Sequence, residues 1–119
     1  MKYLYKYKLF EIKHRGIDYS DDWKLPNNPI RRKISMEIDD IFIDLKDIGY
    51  RIHTGGWIRS SEHPYIWIAN KTDKTGSRLQ MDWVIIEDYV ERAKNYLEIN
   101  GFEYSEVKLK NQMSIYFYK

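Results

Sequence analysis

Cysteine is absent from the 119-residue sequence. This absence excludes disulfides, thiolate metal sites and cysteine nucleophiles, so metal or redox chemistry would lack its commonest protein ligand. Long apolar runs are absent as well, because nowhere do 18 apolar residues follow one another, about the length that a membrane-spanning helix needs. The amino-terminal segment MKYLYKYKLFEIK alternates Lys with Tyr and contains no apolar stretch of the secretory type. The sequence therefore predicts a cytoplasmic protein with no membrane partner.

The sequence also lacks the motifs that mark common catalytic sites. It has no Gly-x-x-x-x-Gly-Lys-Ser/Thr frame for a nucleotide phosphate and no Gly-x-Ser-x-Gly nucleophile turn. None of His14, His53 and His63 stands in a His-Glu-x-x-His spacing. A site formed by His53 and His63 with Glu62 remains as a metal hypothesis, because these residues flank the same predicted hairpin.

Two further patterns contain parts of an active site without completing one. Glu106 and Lys108 fall on one face of a predicted strand, as in metal-dependent nucleases, but the upstream strand Asp of such a site is missing. The segment 71–80 carries hydroxyl and cationic donors for a phosphate without the frame of a phosphate cradle. The sequence therefore predicts that the protein is not an enzyme and binds no cofactor or metal.

What the sequence does contain is enough apolar material for a packed core. Hydrophobic residues make up 43% of the chain and aromatic residues 16%, a composition that argues against disorder. A chain of this length buries roughly two-thirds of its unfolded surface without needing disulfides. We expect residues 1–119 to fold as a single domain.

One pattern of residues recurs within the chain. Each copy is typical of an amphipathic helix that ends at a glycine and leads through an aromatic residue into a strand. The two copies predict two similar helix–strand units that pack side by side. The matched positions are Ile34, Ile38, Ile41, Leu45, Gly49 and Tyr50 in the first copy, and Ile86, Val90, Ala93, Leu97, Gly101 and Phe102 in the second.

Periodicity and helix-ending residues divide the chain into two helices and five strands. Asn28 and Pro29 mark the start of the first helix, whose apolar stripe extends to Ile48, and Asp82 can cap a second helix that runs to Gly101. This order corresponds to an α+β fold: a ferredoxin-like βαββαβ core with an extra C-terminal strand, and two helices on one face of an antiparallel sheet. The strands are predicted at 2–12, 50–58, 64–70, 102–109 and 112–119, with loops at 13–28 and 71–80. Two hairpins are predicted among them, one with a short turn near Ser60 and Ser61 and one with a turn at Lys110 and Asn111.

Alternation along the predicted strands separates a core face from an open face. The apolar positions are assigned to the core: Tyr3, Tyr5, Tyr7, Ile52, Ile66, Ile68, Val107, Leu109, Met113, Ile115 and Phe117. The open face then carries a basic and aromatic set, which is the predicted binding surface: Lys6, Lys8, Arg51, His53, Tyr65, Trp67, Lys108, Tyr116 and Tyr118.

Charge is segregated along the chain although the net charge is only +2. Residues 35–48 contain 1 Lys or Arg against 5 Asp or Glu, and residues 81–106 contain 2 against 7. The predicted helices are therefore acidic and the strands and loops basic, which gives the open face a field that can orient a charged partner. The alternative is that the acidic side chains only solvate exposed helix faces.

The composition of the open face fits two classes of partner. Exposed aromatic side chains mark protein interfaces, so we expect a non-catalytic module that binds a protein partner, with a homodimer as one form. Cations and stacking rings also suit single-stranded RNA or DNA, which is the alternative.

In arrangement the sheet resembles an RNA-recognition motif, because Tyr65 and Trp67 lie where that family presents stacking aromatics. The segment HPYIWIAN lacks the family's glycine-containing consensus. The frequent Lys, Ile, Asn and Tyr are compatible with the AT-rich genome of a phage or mobile element.

Overall fold

The computed structural model describes residues 19–57 and 63–119, and for residues 19–21 only the backbone. The strand predicted at 2–12, with Tyr3, Tyr5 and Tyr7, lies outside the described residues. The α+β class is confirmed. A 3-10 helix spans Tyr19–Lys24, helix α1 Pro29–Ile41, α2 Ile43–Asp47 and α3 Trp83–Ile99, and the strands are β1 Arg51–Gly55, β2 Tyr65–Ala69, β3 Glu103–Lys108 and β4 Gln112–Tyr118.

The described strands form one antiparallel sheet in the order β1-β2-β4-β3. Both predicted hairpins are confirmed, since β1 pairs with β2 and β3 pairs with β4. The ferredoxin-like order is not confirmed. In that order the N-terminal strand would lie beside β2, whereas here β4 occupies this place and pairs Ile66 with Ile115 and Ile68 with Met113.

The helices pack their apolar sides against one face of this sheet. The core joins buried residues of α1, α2 and α3 to the inward side chains of β2 and β4. These inward side chains are the predicted Ile66, Ile68, Met113, Ile115 and Phe117, all of them buried. The alternating side chains of the two central strands face the opposite side of the sheet.

The first predicted helix is divided in two at Phe42. Asn28 caps α1 as predicted, and its Oδ1 accepts the N–H of Ile30 at 2.8 Å. The backbone leaves helical geometry at Phe42, with φ −99° and ψ 9°, and the Phe42 side chain is fully buried. Helix α2 ends at Asp47, and Ile48 follows it as the capping residue. The prediction that Ile48 belongs to the buried stripe is wrong, because its exposed fraction is 52%.

The internal repeat is confirmed at the level of helix ends. Gly49 and Gly101 both adopt left-handed backbone conformations, with φ values of 107° and 84°, which glycine adopts without a Cβ penalty. The aromatic residue that follows each glycine is buried. In each copy its amide donates to a carbonyl five residues back and closes the helix: Tyr50 to Leu45 at 3.0 Å and Phe102 to Leu97 at 2.9 Å.

The start of α3 differs from the prediction in one detail. Its buried stripe is the predicted one of Ile86, Val90, Ala93 and Leu97, but the side chain of Asp82 makes no capping hydrogen bond. Instead the backbone N–H of Asp82 donates to the Tyr50 hydroxyl at 3.0 Å, which links the first turn of α3 to the residue before β1.

The segment predicted as a loop at 13–28 contributes to the core where it is described. Trp23 of the 3-10 helix is buried, and its ring centroid lies 5.0 Å from that of Phe102 and 6.1 Å from that of Trp57. Phe117 of β4 completes the cluster at 5.4 Å from Phe102 and 5.7 Å from Trp57. This aromatic cluster closes one end of the core.

The prediction of which side of β3 faces the core is wrong. Residues paired directly across antiparallel strands share a face, and Glu106 is paired with the buried Ile115. Glu106 and Lys108 therefore lie on the helix side, whereas Val107 faces the open side and is 50% exposed. Leu109, which follows the strand, is 51% exposed. At the edge of the sheet the helix side is covered by charged side chains from α3, so it does not require an apolar strand residue.

Candidate functional site

The open face of the sheet carries six of the nine predicted binding residues. The strand pairing sets His53 opposite Trp67 and Tyr65 opposite Tyr116, which places all four on the side away from the helices. Lys108 is not on this face, and Lys6 and Lys8 lie outside the described residues. The six that the structure brings together are Arg51, His53, Tyr65, Trp67, Tyr116 and Tyr118.

Aromatic rings run across this face from the β1 edge to β4. The ring centroid of Tyr65 lies 6.4 Å from His53 on one side and 5.8 Å from Tyr116 on the other. Tyr118 lies further along β4, and its ring is 4.7 Å from that of His63. The three tyrosines are half-buried, so each ring is held by its neighbours while part of the side chain stays accessible. We call His53, Tyr65 and Tyr116 the aromatic row.

Gly55 provides the space in which Tyr65 lies. A Cβ atom at Gly55 would come 2.7 Å from the Tyr65 hydroxyl oxygen. A side chain at position 55 would therefore displace the far end of a flexible ring and leave the backbone in place. An aromatic side chain that covers a glycine in a neighbouring edge strand is a known stabilising arrangement in β-sheets.

We expect Gly55→Ala to move the Tyr65 ring while keeping the fold, with a change in stability of about 1 kcal/mol or less. NMR cross-peaks between the rings of Tyr65 and Tyr116, together with thermal unfolding, measure the two effects. Gly56→Ala is the contrasting variant, because its Cβ would lie 2.5 Å from the backbone carbonyl oxygen of His63 and its φ is +75°. It should cost about 1–3 kcal/mol. Equal destabilisation by the two variants would contradict the role given to Gly55.

Trp67 lies beside the aromatic row and is held from two directions. Its Nε1 donates to the side-chain oxygen of Gln112 at 2.8 Å. The Arg78 guanidinium carbon stands 5.4 Å from the Trp67 ring centroid, and an Arg78 nitrogen donates to the Asn70 carbonyl at 2.6 Å. Part of the Trp67 ring is therefore covered by the protein's own arginine. Arg78 and Gln112 were not among the predicted residues, because only the folded loop and the β2–β4 register bring them to Trp67.

The segment 71–80 forms a closed hairpin and is not an open phosphate cradle. Thr72 and Arg78 pair as an isolated bridge. The Asp73 carboxylate accepts the Thr75 hydroxyl at 2.6 Å and the N–H groups of Thr75 and Ser77 at 2.8 and 3.0 Å. The Thr75 hydroxyl, with help from these amides, holds the pKa of Asp73 below its usual value. Amides that a phosphate would need are thus already bonded to Asp73.

The described part of the open face carries fewer cations than the sequence predicts, since Lys108 lies on the other side of the sheet. Arg51, His53, His63 and Arg78 are its described guanidinium and imidazole groups, and within the described ranges neither arginine forms an ion pair. Lys108 instead lies 3.5 Å from Glu87 and 5.2 Å from the Trp83 ring on the helix side. The edge of β3 adds Glu103 opposite Tyr118. The part of the face that lies within residues 19–57 and 63–119 is therefore aromatic with a few cations, and is not strongly basic.

Glu106 contacts a cation of α3. Its carboxylate accepts from the Lys94 ammonium at 2.8 Å. Partial burial alone would lower the pKa of Lys94, but the hydrogen bond and charge of Glu106 raise it above its usual value. In residues 19–57 and 63–119 no three His, Asp or Glu side chains converge in an arrangement that would hold a metal ion. Glu62, the third member of the predicted histidine site, lies outside these ranges.

Comparisons of the chain with protein-family models, with curated proteins and with solved structures found no significant match. None of the described helices has the length and apolar character required to cross a membrane.

Proposed function

We propose that this chain is a non-catalytic interaction module that binds a protein partner through the open face of its sheet. The observation that carries the proposal is the aromatic row, whose rings contact one another across three strands at centroid distances of 6.4 and 5.8 Å. Tyr, Trp and Arg are the residues most enriched at energetically important positions of protein interfaces. A ring already fixed by its neighbours loses little conformational entropy when a partner covers it.

The distribution of charge supports a protein partner over nucleic acid. Single-strand binding proteins combine a cationic groove with rings that are free to stack on bases. Here Trp67 is partly covered by Arg78 and bonded to Gln112, and Glu103 lies at the edge of the same face. Arg51 and Arg78, which form no ion pair with other described residues, suit a small number of acidic or carbonyl groups on a folded or extended polypeptide.

Substituting Tyr116 tests the proposal directly. Tyr116→Ala removes the middle of the open face without touching the core, so stability should change by about 1 kcal/mol or less, while the affinity for the partner should fall at least about 10-fold. Met36→Ser is the matched control, because Met36 is 67% exposed on the outer side of α1. Wild type and both variants are each immobilised and exposed to a cell lysate. The proteins that each form retains are then compared by quantitative mass spectrometry.

A protein retained by wild type and Met36→Ser but lost from Tyr116→Ala is then purified, and its affinity for the three forms is measured by calorimetry. Equal retention by all three forms would contradict the proposal. In parallel, the tryptophan fluorescence of the protein is titrated with oligo(dT) and oligo(rU) at low and moderate salt. Saturable and salt-sensitive binding that Tyr116→Ala abolishes would replace the protein partner with single-stranded nucleic acid.

A further inference from the structure

The outer side of α1 carries three exposed residues in a row, which we call the α1 row. Arg32, Met36 and Asp40 follow one another at intervals of four, so they lie along one side of the helix. The Met36 side chain at the centre is 67% exposed. Shallow grooves of about 340 and 440 Å³ run along the two sides of the row, and Arg32 and Met36 line both of them. The α1 row is therefore a ridge with an apolar centre and opposite charges at its two ends.

Neither end charge of the α1 row has a partner in the described chain. The helix positions three and four residues from Arg32 hold no acidic side chain, and those three and four residues from Asp40 hold no basic one. Neither residue forms an ion pair with any other described residue. The adjacent Asp39, by contrast, is held by Lys46 at 3.2 Å. Arg32 and Asp40 are thus available to a second molecule.

The charges of α1 also run against the helix dipole. Residues 31–33 are all cationic and residues 39 and 40 are both acidic, so the first turn contains no acidic residue and the last turn no basic one. A single helix is stabilised by the reverse distribution, with anions at its N-terminus and cations at its C-terminus. A second α1 lying antiparallel would bring its acidic end beside the cationic end of the first. The arrangement that is unfavourable in one helix is therefore favourable in an antiparallel pair.

We propose that the outer side of α1 is the contact surface for a second copy of this chain, which binds as a symmetric dimer with the two α1 helices antiparallel. A two-fold axis close to Met36 sets position 32 of one copy against position 40 of the other, because both positions are four residues from position 36. Arg32 of each copy then pairs with Asp40 of the other, and the two Met36 side chains pack together at the centre. A contact of this kind uses the same patch on both copies and closes at two molecules.

The dimer leaves the surface of the proposed binding function free. The helices cover one face of the sheet and the aromatic row lies on the opposite face, so a dimer formed through α1 would present two open faces directed away from each other. Two linked binding surfaces hold a partner with repeated sites more tightly than one surface does. The dimer itself follows from α1 alone and does not depend on the binding function.

Reversing one charge of the α1 row tests the proposal. Arg32→Glu brings two negative charges together at both ends of the contact, and Asp40→Arg brings two positive charges together there. Each variant should raise the dissociation constant of the dimer at least about 10-fold. Both substitutions bring the charges of α1 into agreement with its dipole, so both variants should stay folded, which circular dichroism verifies. Lys110→Glu is the matched control, because it makes the same change of charge at the exposed turn between β3 and β4.

A mixture of the two variants measures the pairing itself. Combining Arg32→Glu with Asp40→Arg sets opposite charges against each other at both ends of the contact, so the mixed dimer should recover about the wild-type affinity. Native mass spectrometry distinguishes mixed from like dimers by their masses, and sedimentation equilibrium gives the dissociation constants. A contact confined to one helix face is small and binds weakly, so the measurements extend to about 1 mM protein.

Three results would overturn the proposal: a wild-type protein that is monomeric over this whole range, a dimer that both charge variants leave intact, or a mixture no more dimeric than its two components. A dimer that is lost only in Tyr116→Ala would assign self-association to the open face. Met36→Ser should weaken the dimer and still retain the protein partner, so a failure here is distinguishable from a failure of the proposed binding function.

Discussion

Trp23→Ala is expected to lower the free energy of unfolding by about 3–5 kcal/mol, the usual cost of removing a large aromatic side chain from a core. The Trp23 ring contacts Phe102 and Trp57 and lies 6.5 Å from Phe117, so its loss would leave a cavity at the end of the core that these three rings line. A domain of this size has only about 5–15 kcal/mol of stability in total. The variant should therefore be marginally folded at physiological temperature.

Urea unfolding followed by far-ultraviolet circular dichroism measures this effect without relying on the tryptophan that has been removed. Leu25→Ala is the matched control, because Leu25 lies two residues further along and is 42% exposed. It should change the free energy of unfolding by less than about 1 kcal/mol. A Trp23→Ala variant as stable as the control would show that the 3-10 helix is not part of the folded core.

The second large effect is expected at the break between α1 and α2. Phe42→Ala should cost about 3–5 kcal/mol, because the Phe42 side chain is fully buried among the core residues. Ile48→Ala should cost less than about 1 kcal/mol, since that side chain is half exposed. A continuous helix would place Ile48 on the same stripe as Ile34, Ile38 and Leu45 and would reverse this expectation for Ile48.

Thermal unfolding of the two variants separates these arrangements. A loss of 3 kcal/mol corresponds to a fall in Tm of more than about 10 °C for a domain of this size, and a loss below 1 kcal/mol to a few degrees. A large loss of stability in Ile48→Ala together with a small loss in Phe42→Ala would show that the helix is continuous through Phe42. The pair of substitutions therefore tests the one place where the folded chain departs from the periodicity of its first helix.

Features that depend on neighbouring residues in the sequence were predicted well. The ends of the helices at Gly49 and Gly101, the buried stripe of α3 and both hairpins all follow from local rules. A left-handed position favours glycine, and a 3.6-residue period defines one face of a helix. Strands joined by a short turn pair antiparallel, as β3 and β4 do around Lys110 and Asn111. The position of Tyr65, Trp67 and Tyr116 on the open face follows equally from strand alternation.

The wrong prediction at β3 arose because its core-facing side was assigned from the polarity of the side chains and not from the pairing of β3 with β4. The turn at Lys110 and Asn111 joins Leu109 to Gln112, and that pairing places Lys108 opposite Met113 and Val107 opposite Ser114. The buried side of β4 therefore required Lys108, not Val107, to face the helices. The turn at Lys110 and Asn111 can be recognised in the sequence, and it fixes the pairing of the two strands. This pairing places Lys108 on the helix side, which removes it from the candidate site and lowers the number of cations predicted for the open face.

The sequence by itself determined the local elements of this protein: an α+β composition, two repeated helix ends, two hairpins and a sheet with aromatic side chains on one side. The tertiary structure alone decided that Trp23 fills the end of the core, that Phe42 interrupts the first helix, that Arg78 covers Trp67 and that β4 lies beside β2. The physical reason is distance along the chain. Backbone hydrogen bonding and side-chain periodicity act between near neighbours, whereas packing of the core and the order of strands depend on contacts between residues far apart in sequence.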